Sequence, residues 1–162
     1  MNRLAVCVLG HRNAGKTFTW KTLFGKSVKT GGAERPLDLG DGEVVDVFLV
    51  SGSSEERVLP IGSILGRKRP SIVLCSIQYV EAGFDTLNFF ANEGYERYVQ
   101  WLNPGRTDPG AYPDNLGLVQ SLLWGDTLIG VRDGKVAANR RVRELREHIR
   151  GWAKGRKLIR QK

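Results

Sequence analysis

Gly10-His11-Arg12-Asn13-Ala14-Gly15-Lys16-Thr17 is the stretch of sequence that decides the fold of this chain. It follows the apolar run Leu-Ala-Val-Cys-Val-Leu at residues 4–9, which is typical of a strand buried on both faces of a parallel sheet. Residues 17–24 can continue as a helix. Strand, glycine loop and helix in this order predict a turn that aims the helix N-terminus at a bound anion.

The two glycines explain why the loop suits a phosphate. Gly10 and Gly15 let the backbone turn tightly and approach phosphate oxygens without a Cβ clash. The loop amides and the helix N-terminus then direct partial positive charge at the phosphates. The spacing G-x-x-x-x-G-K-[ST] in this context resembles the Walker A motif of the P-loop NTPase superfamily.

That resemblance implies ATP or GTP and Mg²⁺ as cofactors, with Lys16 reaching the β- and γ-phosphates and the Thr17 hydroxyl on the metal. It covers about the first 25 residues closely, and the rest of the chain only in architecture. The implied phosphate-binding residues are those of the loop and the first helical turn, Gly10, His11, Arg12, Asn13, Ala14, Gly15, Lys16, Thr17 and Phe18.

Length and composition predict a single globular domain over residues 1–162. The hydrophobic fraction is 41% and the charged fraction 26%, and no apolar stretch is long enough to span a bilayer. Residues 1–3 lead directly into the first strand, so we expect a cytoplasmic protein that does not enter a membrane. Cys7 and Cys75 lie inside apolar runs and are expected to be free and buried.

Positive charge is concentrated at the C-terminus. Residues 135–162 contain eleven Lys or Arg and two Glu, a net of +9, whereas residues 1–134 contain fourteen Lys or Arg and fifteen Asp or Glu, a net of −1. The helix predicted at about 138–158 has one apolar stripe and is otherwise basic, and the tail after 154 is a candidate for disorder. A nucleic acid or an acidic protein is therefore a possible partner of this segment.

Strand and helix patterns alternate along the chain. Residues 35–39 and 43–50 flank an Asp-Gly turn and predict an antiparallel hairpin, and Ser53 with Glu56 forms a capping box. Further strands are predicted at 71–77, 97–102 and 127–131, and helices at 81–92 and 114–124, with a surface loop at 105–114. The expected fold is a three-layer α/β P-loop NTPase domain with a mainly parallel sheet and an antiparallel hairpin.

The sequence departs from the P-loop pattern in its acidic residues. The two best strands end at Val50-Ser51 and Cys75-Ser76 with no carboxylate, and Asp46 is the remaining candidate for the metal, although it lies deep in its strand. Ser51 or Ser76 could instead hold a metal-bound water. We expect the missing carboxylate to affect hydrolysis of the triphosphate more than nucleotide binding.

The order of helix, polar loop, hairpin and strand is similar to the switch region of small GTPases. In that comparison Thr30 would be the first-switch threonine and a second metal-site residue, Gly52 would sense the γ-phosphate, and residues 55–57 would begin a second switch. Leu49 stands where that family has Asp, and no N-K-x-D guanine-reading motif occurs. We therefore favour ATP over GTP.

Arginines near predicted loops could stabilise charge on a transferring phosphoryl group, and Arg57 and Arg106 are the candidates assigned a catalytic role beside Lys16. The leading hypothesis is an Mg²⁺-dependent nucleoside-triphosphate-binding protein, a slow ATPase or a switch subunit. One alternative is a small nucleotide or small-molecule kinase that uses the 105–114 loop near its acceptor. Another is a nucleotide-regulated module that binds nucleic acid or a partner through its basic C-terminus.

Overall fold

A computed structural model describes residues 2–162. Seven strands form one sheet: β1 (Leu4–Gly10), β2 (Arg35–Gly40), β3 (Glu43–Val50), β4 (Ile72–Gln78), β5 (Glu96–Leu102), β6 (Thr127–Arg132) and β7 (Arg160–Gln161). The helices are α1 (Lys16–Phe24), α2 (Ser54–Arg57), α3 (Ile61–Leu65), α4 (Glu81–Asn92), α5 (Leu118–Leu122) and α6 (Ala138–Gly155).

The sheet is mainly parallel, as predicted. Its strand order is β2-β3-β4-β1-β5-β6, and β7 pairs with β3 beside this path. The pairs β3–β4, β4–β1, β1–β5 and β5–β6 are parallel, whereas β3 pairs antiparallel with both β2 and β7. The α/β class and the hairpin of β2 and β3 are thus confirmed.

Helices cover both faces of the sheet. Alternate residues of β1 belong to different cores: Leu4, Val6 and Val8 pack with α1 and α6, whereas Ala5, Cys7 and Leu9 pack with α3, α4 and α5. This alternation follows from the two-residue period of a strand and yields three layers. Both cysteines are free and fully buried, and burial raises the pKa of the Cys7 thiol to about 12.

The chain end returns to the hairpin. The structure ends α6 at Gly155, short of the predicted 158, and carries the tail back as β7, where Arg160 pairs with Val44 and Gln161 with Glu43. The Lys162 amide donates to the Gly42 carbonyl at 2.8 Å. The segment considered for disorder therefore forms a third strand beside the hairpin. Within residues 2–162, no helix combines the length and apolar character needed to cross a bilayer.

Parallel strands place their carboxyl ends at one edge of the sheet, where ligands bind in open α/β folds. Gly10 at the end of β1 is opposite Gln78 at the end of β4, and Leu9 is opposite Trp101 near the end of β5. The loops that follow these strands consequently meet around the glycine loop of residues 10–17.

Candidate functional site

The glycine loop forms one wall of a cavity of about 940 Å³, the largest described in this structure. Its lining comprises Arg12, Asn13, Ala14, Gly15, Lys16, Thr17 and Phe18 from the loop and α1, with Ser51, Ser53, Glu56, Gln78, Arg106 and Thr107 from other segments. Seven consecutive residues of the predicted phosphate-binding stretch therefore share this cavity.

Lys16 is held at the centre of the loop. Its side chain is buried, and its ammonium donates to the carbonyls of Gly10 at 3.0 Å and His11 at 2.9 Å. Burial lowers the pKa of Lys16, while the negative charges of Glu56, then Glu55 and Asp108, act in the opposite direction. An ammonium has three N–H donors, so one remains for a ligand in the cavity.

Two glycines outside the loop let neighbouring segments approach it. A Cβ on Gly105 would lie 2.8 Å from Ala14 Cα, and one on Gly134 would lie 2.9 Å from the Ala14 carbonyl oxygen. Only glycine avoids these clashes. The Arg106 amide accordingly donates to the Ala14 carbonyl at 2.8 Å, so the loop predicted at 105–114 packs on the glycine loop.

Arg106 reaches the cavity from that loop. Its guanidinium lies 4.1 Å from the centroid of the Phe18 ring, a cation–π contact at the cavity wall. The next residue, Thr107, lines the cavity and donates its hydroxyl to the Asn13 carbonyl at 3.2 Å. Of the two arginines assigned a catalytic role from the sequence, Arg106 is therefore the one that contacts this cavity.

Arg57, Thr30 and Gly52 form a separate group beside the cavity. The Thr30 hydroxyl oxygen accepts from Arg57 Nη2 at 2.8 Å and from the Ser51 amide at 2.9 Å. A Cβ on Gly52 would lie 3.1 Å from Arg57 Nε. The structure thus brings these three predicted residues together, but none of them is part of the cavity lining; Ser51 connects them to it.

Asp46 lies elsewhere. It is four residues before the end of β3, is exposed, and forms an ion pair with Arg160 of β7. In the hairpin it is opposite Pro36. The predicted metal residues Thr17, Thr30 and Asp46 therefore do not share one site, because the alternation of β3 directs Asp46 to the chain end and not to the loop.

Glu56 is a carboxylate on the cavity that the sequence analysis did not assign to the site. Ser53 caps α2, with its hydroxyl accepting from the Glu56 amide at 3.4 Å, and this cap presents Glu56 at the cavity. The neighbouring Glu55 instead accepts from Thr86 Oγ1 at 2.9 Å and from the Gln78 amide at 3.4 Å. The capping-box pattern was the available signal, but it indicated a helix start and not a carboxylate in the site.

His11 contributes its backbone to the loop and its ring to an aromatic cluster. The ring centroid lies 3.8 Å from that of Tyr112 and 5.1 Å from that of Tyr79, which stacks on Trp101 at 5.2 Å. Burial lowers the pKa of His11, while the negative charge of Asp108 acts in the opposite direction. Ser76, which is opposite Val8 in the sheet, is buried, accepts from Trp20 Nε1 at 2.8 Å in the core and is not part of the cavity lining.

A buried cation supports α1 from beneath. Arg141 of α6 donates from Nη1 to Thr19 Oγ1 at 3.0 Å and to Gln100 Oε1 at 3.1 Å, and the Thr19 hydroxyl donates to the Gly15 carbonyl at 2.9 Å. Burial lowers the pKa of Arg141, yet its guanidinium stays charged because the reference value is far above neutrality. Its positive charge therefore lies one helical turn from the end of the glycine loop.

Part of the basic C-terminus is paired within the chain. Ion pairs join Arg150 to Glu43, Asp41 and Glu147, Arg156 to Glu96, Arg160 to Asp46, and Lys162 to Asp38. These pairs involve four of the eleven Lys and Arg residues at positions 135–162, and most of the acidic partners lie in β2, β3 and β5.

No protein-family model matches this chain, and no curated protein matches it either. The arrangement of its own residues is consequently the basis for assigning a function.

Proposed function

We propose that this chain is an Mg²⁺-dependent nucleoside-triphosphate-binding protein of the P-loop type and a slow hydrolase of the bound triphosphate. The observation that carries the proposal is the concentration of residues 12–18, including the buried Lys16, on one cavity at the carboxyl edge of a parallel sheet. The volume of about 940 Å³ lies toward the upper end of the range of about 300–1,000 Å³ typical of ligand pockets.

The loop would bind the phosphates through its amides and the N-terminus of α1. The third N–H of Lys16 would donate to a phosphate oxygen, and the Arg141 charge beneath α1 adds to the attraction for an anion. Arg106, which packs beside the glycine loop on the same cavity, would contact the phosphate chain or the sugar.

Oxygen donors suited to Mg²⁺ occur on the same cavity, namely the hydroxyls of Thr17, Ser51 and Ser53, and the carboxylate of Glu56 lines it as well. A bound Mg²⁺ would neutralise charge on the phosphates. Glu56 would orient a water molecule and accept its proton as the water oxygen attacks the γ-phosphorus, which releases the diphosphate and inorganic phosphate. This assignment supplies the carboxylate that the strand ends lack.

We favour ATP over GTP as the nucleotide. The sequence has no N-K-x-D motif, and the nearest candidate for reading a guanine, Asn103, has both ends of its amide engaged. Its Nδ2 donates to the Tyr112 carbonyl at 2.8 Å and its Oδ1 accepts from the Tyr112 amide at 2.7 Å.

The first experiment is a titration of ATP and of GTP, each with Mg²⁺, into the wild-type protein, Lys16→Ala and Lys21→Ala. Lys21 is exposed on α1 and is the matched control for loss of a lysine from this helix. We expect about a 10- to 150-fold loss of affinity for Lys16→Ala, because one charge-assisted hydrogen bond contributes about 1.5–3 kcal/mol. Unchanged affinity in Lys16→Ala, with both proteins folded, would exclude the proposed role of the loop.

A second variant tests the carboxylate. In Glu56→Gln, phosphate release should fall about 100-fold while nucleotide affinity changes little, because a general base acts on the reaction and not on binding. Glu81→Gln, an exposed change at the start of α4, should leave both quantities unaltered. Equal turnover in Glu56→Gln and wild type would remove Glu56 from the mechanism.

A kinase is the second candidate, favoured by the packing of the 103–108 segment on the glycine loop with Arg106 and Thr107 at the cavity. Such a segment could cover an acceptor beside the γ-phosphate. Transfer of labelled phosphate from ATP to a nucleoside, nucleotide or other small acceptor, in place of release to water, would distinguish this reaction from hydrolysis.

The proposal of a nucleic-acid partner has less support, because four of the eleven C-terminal cations pair with acidic residues of the same chain. Salt-sensitive binding of DNA or RNA that is lost on removing residues 135–162 would favour it. Binding that is indifferent to salt would count against it.

A further inference from the structure

The outer edge of β6 is the most apolar part of the surface. Among residues 2–162, nine large hydrophobic side chains are exposed, and six of them lie between residues 119 and 136. The six are Val119, Leu123, Trp124, Leu128, Val131 and Val136. Trp124 is 84% exposed and Leu123 is 73% exposed, immediately before β6 begins at Thr127.

β6 also ends the sheet. It pairs with β5 on one side, and no strand of the described chain pairs with its other side. Natural proteins usually protect such an edge with charges, proline, a bulge or a covering loop. This edge has Thr127, Ile129 and Val131 along it, and charges only at its two ends, Asp126 and Arg132.

The hydrogen bonds to β5 identify which backbone groups of β6 point outward. The Arg97 amide donates to the Asp126 carbonyl and the Asn103 amide donates to the Arg132 carbonyl, so the even-numbered residues face β5. Backbone groups alternate in direction along a strand, so the odd-numbered residues 127, 129 and 131 face outward. The Val131 carbonyl accepts from Arg132 Nη1 at 2.9 Å, in agreement with this direction.

We propose that this edge pairs with the same edge of a second copy of the chain, forming an antiparallel, two-fold symmetric dimer centred on Ile129. A two-fold axis perpendicular to the sheet places each face of one copy next to the same face of the other copy. Residues whose side chains point to the same face therefore pair, so the numbers of two paired residues are both odd or both even. Centring on Ile129 pairs residue 127 with residue 131 of the second copy and 129 with 129. All three outward-facing residues of each copy then take part. The Thr127 amide already donates to the Gly125 carbonyl at 2.8 Å, so four inter-chain hydrogen bonds form, donated by the amides of residues 129 and 131 of each copy.

The side chains agree with this register. On the face covered by α6, Leu128 lies opposite Gly130 of the second copy, which has no side chain of its own. The Arg132 guanidinium, which lies beside that glycine in the single chain, turns toward Asp126 of the first copy. Asp126 lies opposite Arg132 of the second copy, and symmetry repeats this opposite-charge pair. On the other face, Thr127 lies opposite Val131 and Ile129 opposite itself, β-branched pairs that favour sheet association.

Charge complementarity favours a second copy of the chain as the partner at this edge, because the same chain contains both Asp126 and Arg132. Arg132 already contacts Glu144 of α6 at 2.8 Å, with both side chains about two-fifths exposed, so its guanidinium has further donors for Asp126 of the partner. Trp124 and Leu123 flank the pairing and would lose solvent exposure in the dimer.

The test is sedimentation equilibrium of the full chain over about 1–200 μM, a range that detects micromolar dissociation constants. We expect a mass that rises with concentration to twice the chain mass of 18.0 kDa. A monomer throughout this range would overturn the proposal, whatever the protein does with nucleotides.

Charge reversal tests the register. Asp126→Arg and Arg132→Asp should each weaken the dimer at least tenfold, because each homodimer then contains two like-charge pairs. An equimolar mixture of the two variants should dimerise like the wild type, since both cross-chain pairs in the mixed dimer become Arg with Asp. Recovery on mixing also shows that both variants are folded.

Glu81→Arg makes the same charge change at an exposed position on α4 and should leave the dimer intact. Homodimers of the two charge-reversal variants as strong as wild type would exclude this register. So would a mixture that stays monomeric while each variant gives the wild-type circular dichroism spectrum.

Discussion

The two edges of the sheet are built in opposite ways. At one edge, the hairpin of β2 and β3 is exposed but surrounded by charge: β7 pairs along β3, and Arg150, Arg160 and Lys162 form ion pairs with hairpin carboxylates. At the other edge, β6 presents apolar side chains and open backbone groups. The comparison teaches that the cations of the C-terminus are concentrated on the hairpin, while among residues 2–162 no strand pairs with the outer side of β6.

Arg150 is the centre of the charged edge, and its loss should have the largest effect. Its Nε lies 3.1 Å from a Glu43 carboxylate oxygen, its Nη1 lies 3.0 Å from Glu147, and it donates to the Leu39 carbonyl. Arg150→Met should lower the free energy of unfolding by about 2 kcal/mol, because it leaves a half-buried carboxylate without its partner. Urea denaturation measures this change.

Arg143→Met is the matched control, since Arg143 is exposed on the same helix. It should change the free energy of unfolding by less than about 0.5 kcal/mol. Similar values for the two variants would mean that the ion pairs of Arg150 do not hold the hairpin.

Loss of the two cations at residues 160–162 should lower the free energy of unfolding by a smaller amount. Arg160 and Lys162 are more than half exposed in their ion pairs with Asp46 and Asp38, so solvent screens them strongly. The double variant Arg160→Ala, Lys162→Ala should be destabilised by less than about 1 kcal/mol, and the difference from wild type should shrink at 1 M NaCl. Hydrogen exchange of the β3 amides should rise in the variant, and a difference that persists in high salt would point to lost packing instead.

A substitution beside the apolar edge of β6 should change the free energy of unfolding least. Trp124 is 84% exposed, so Trp124→Ser should change the unfolding free energy by less than about 0.5 kcal/mol when measured at a concentration where the chain is monomeric. The same variant should weaken self-association if the flank of β6 is part of an interface. A large loss of monomer stability would show that Trp124 packs within its own chain.

Much of the fold could be predicted because its signals are local. The apolar run before Gly10 predicts a buried strand, and the Asp41-Gly42 pair between two β-rich runs predicts the hairpin that the structure contains. The α5 segment was predicted to extend from 114 to 124 but forms a helix only at Leu118–Leu122. The N-cap of this helix is Gly117, and Asp114 accepts from the Leu118 and Val119 amides from three residues before the cap.

In the candidate site, too, one part could be predicted from the local sequence and another part could not. The sequence by itself determined the glycine loop, because the spacing of Gly10, Gly15 and Lys16 is a property of consecutive residues. Only the tertiary structure decided that Glu56 and Arg106 share its cavity and that Asp46 does not, since these positions depend on strand order, helix caps and close approach at Gly105. Contacts between distant segments are set by packing, and a single sequence read along its length carries no direct record of them.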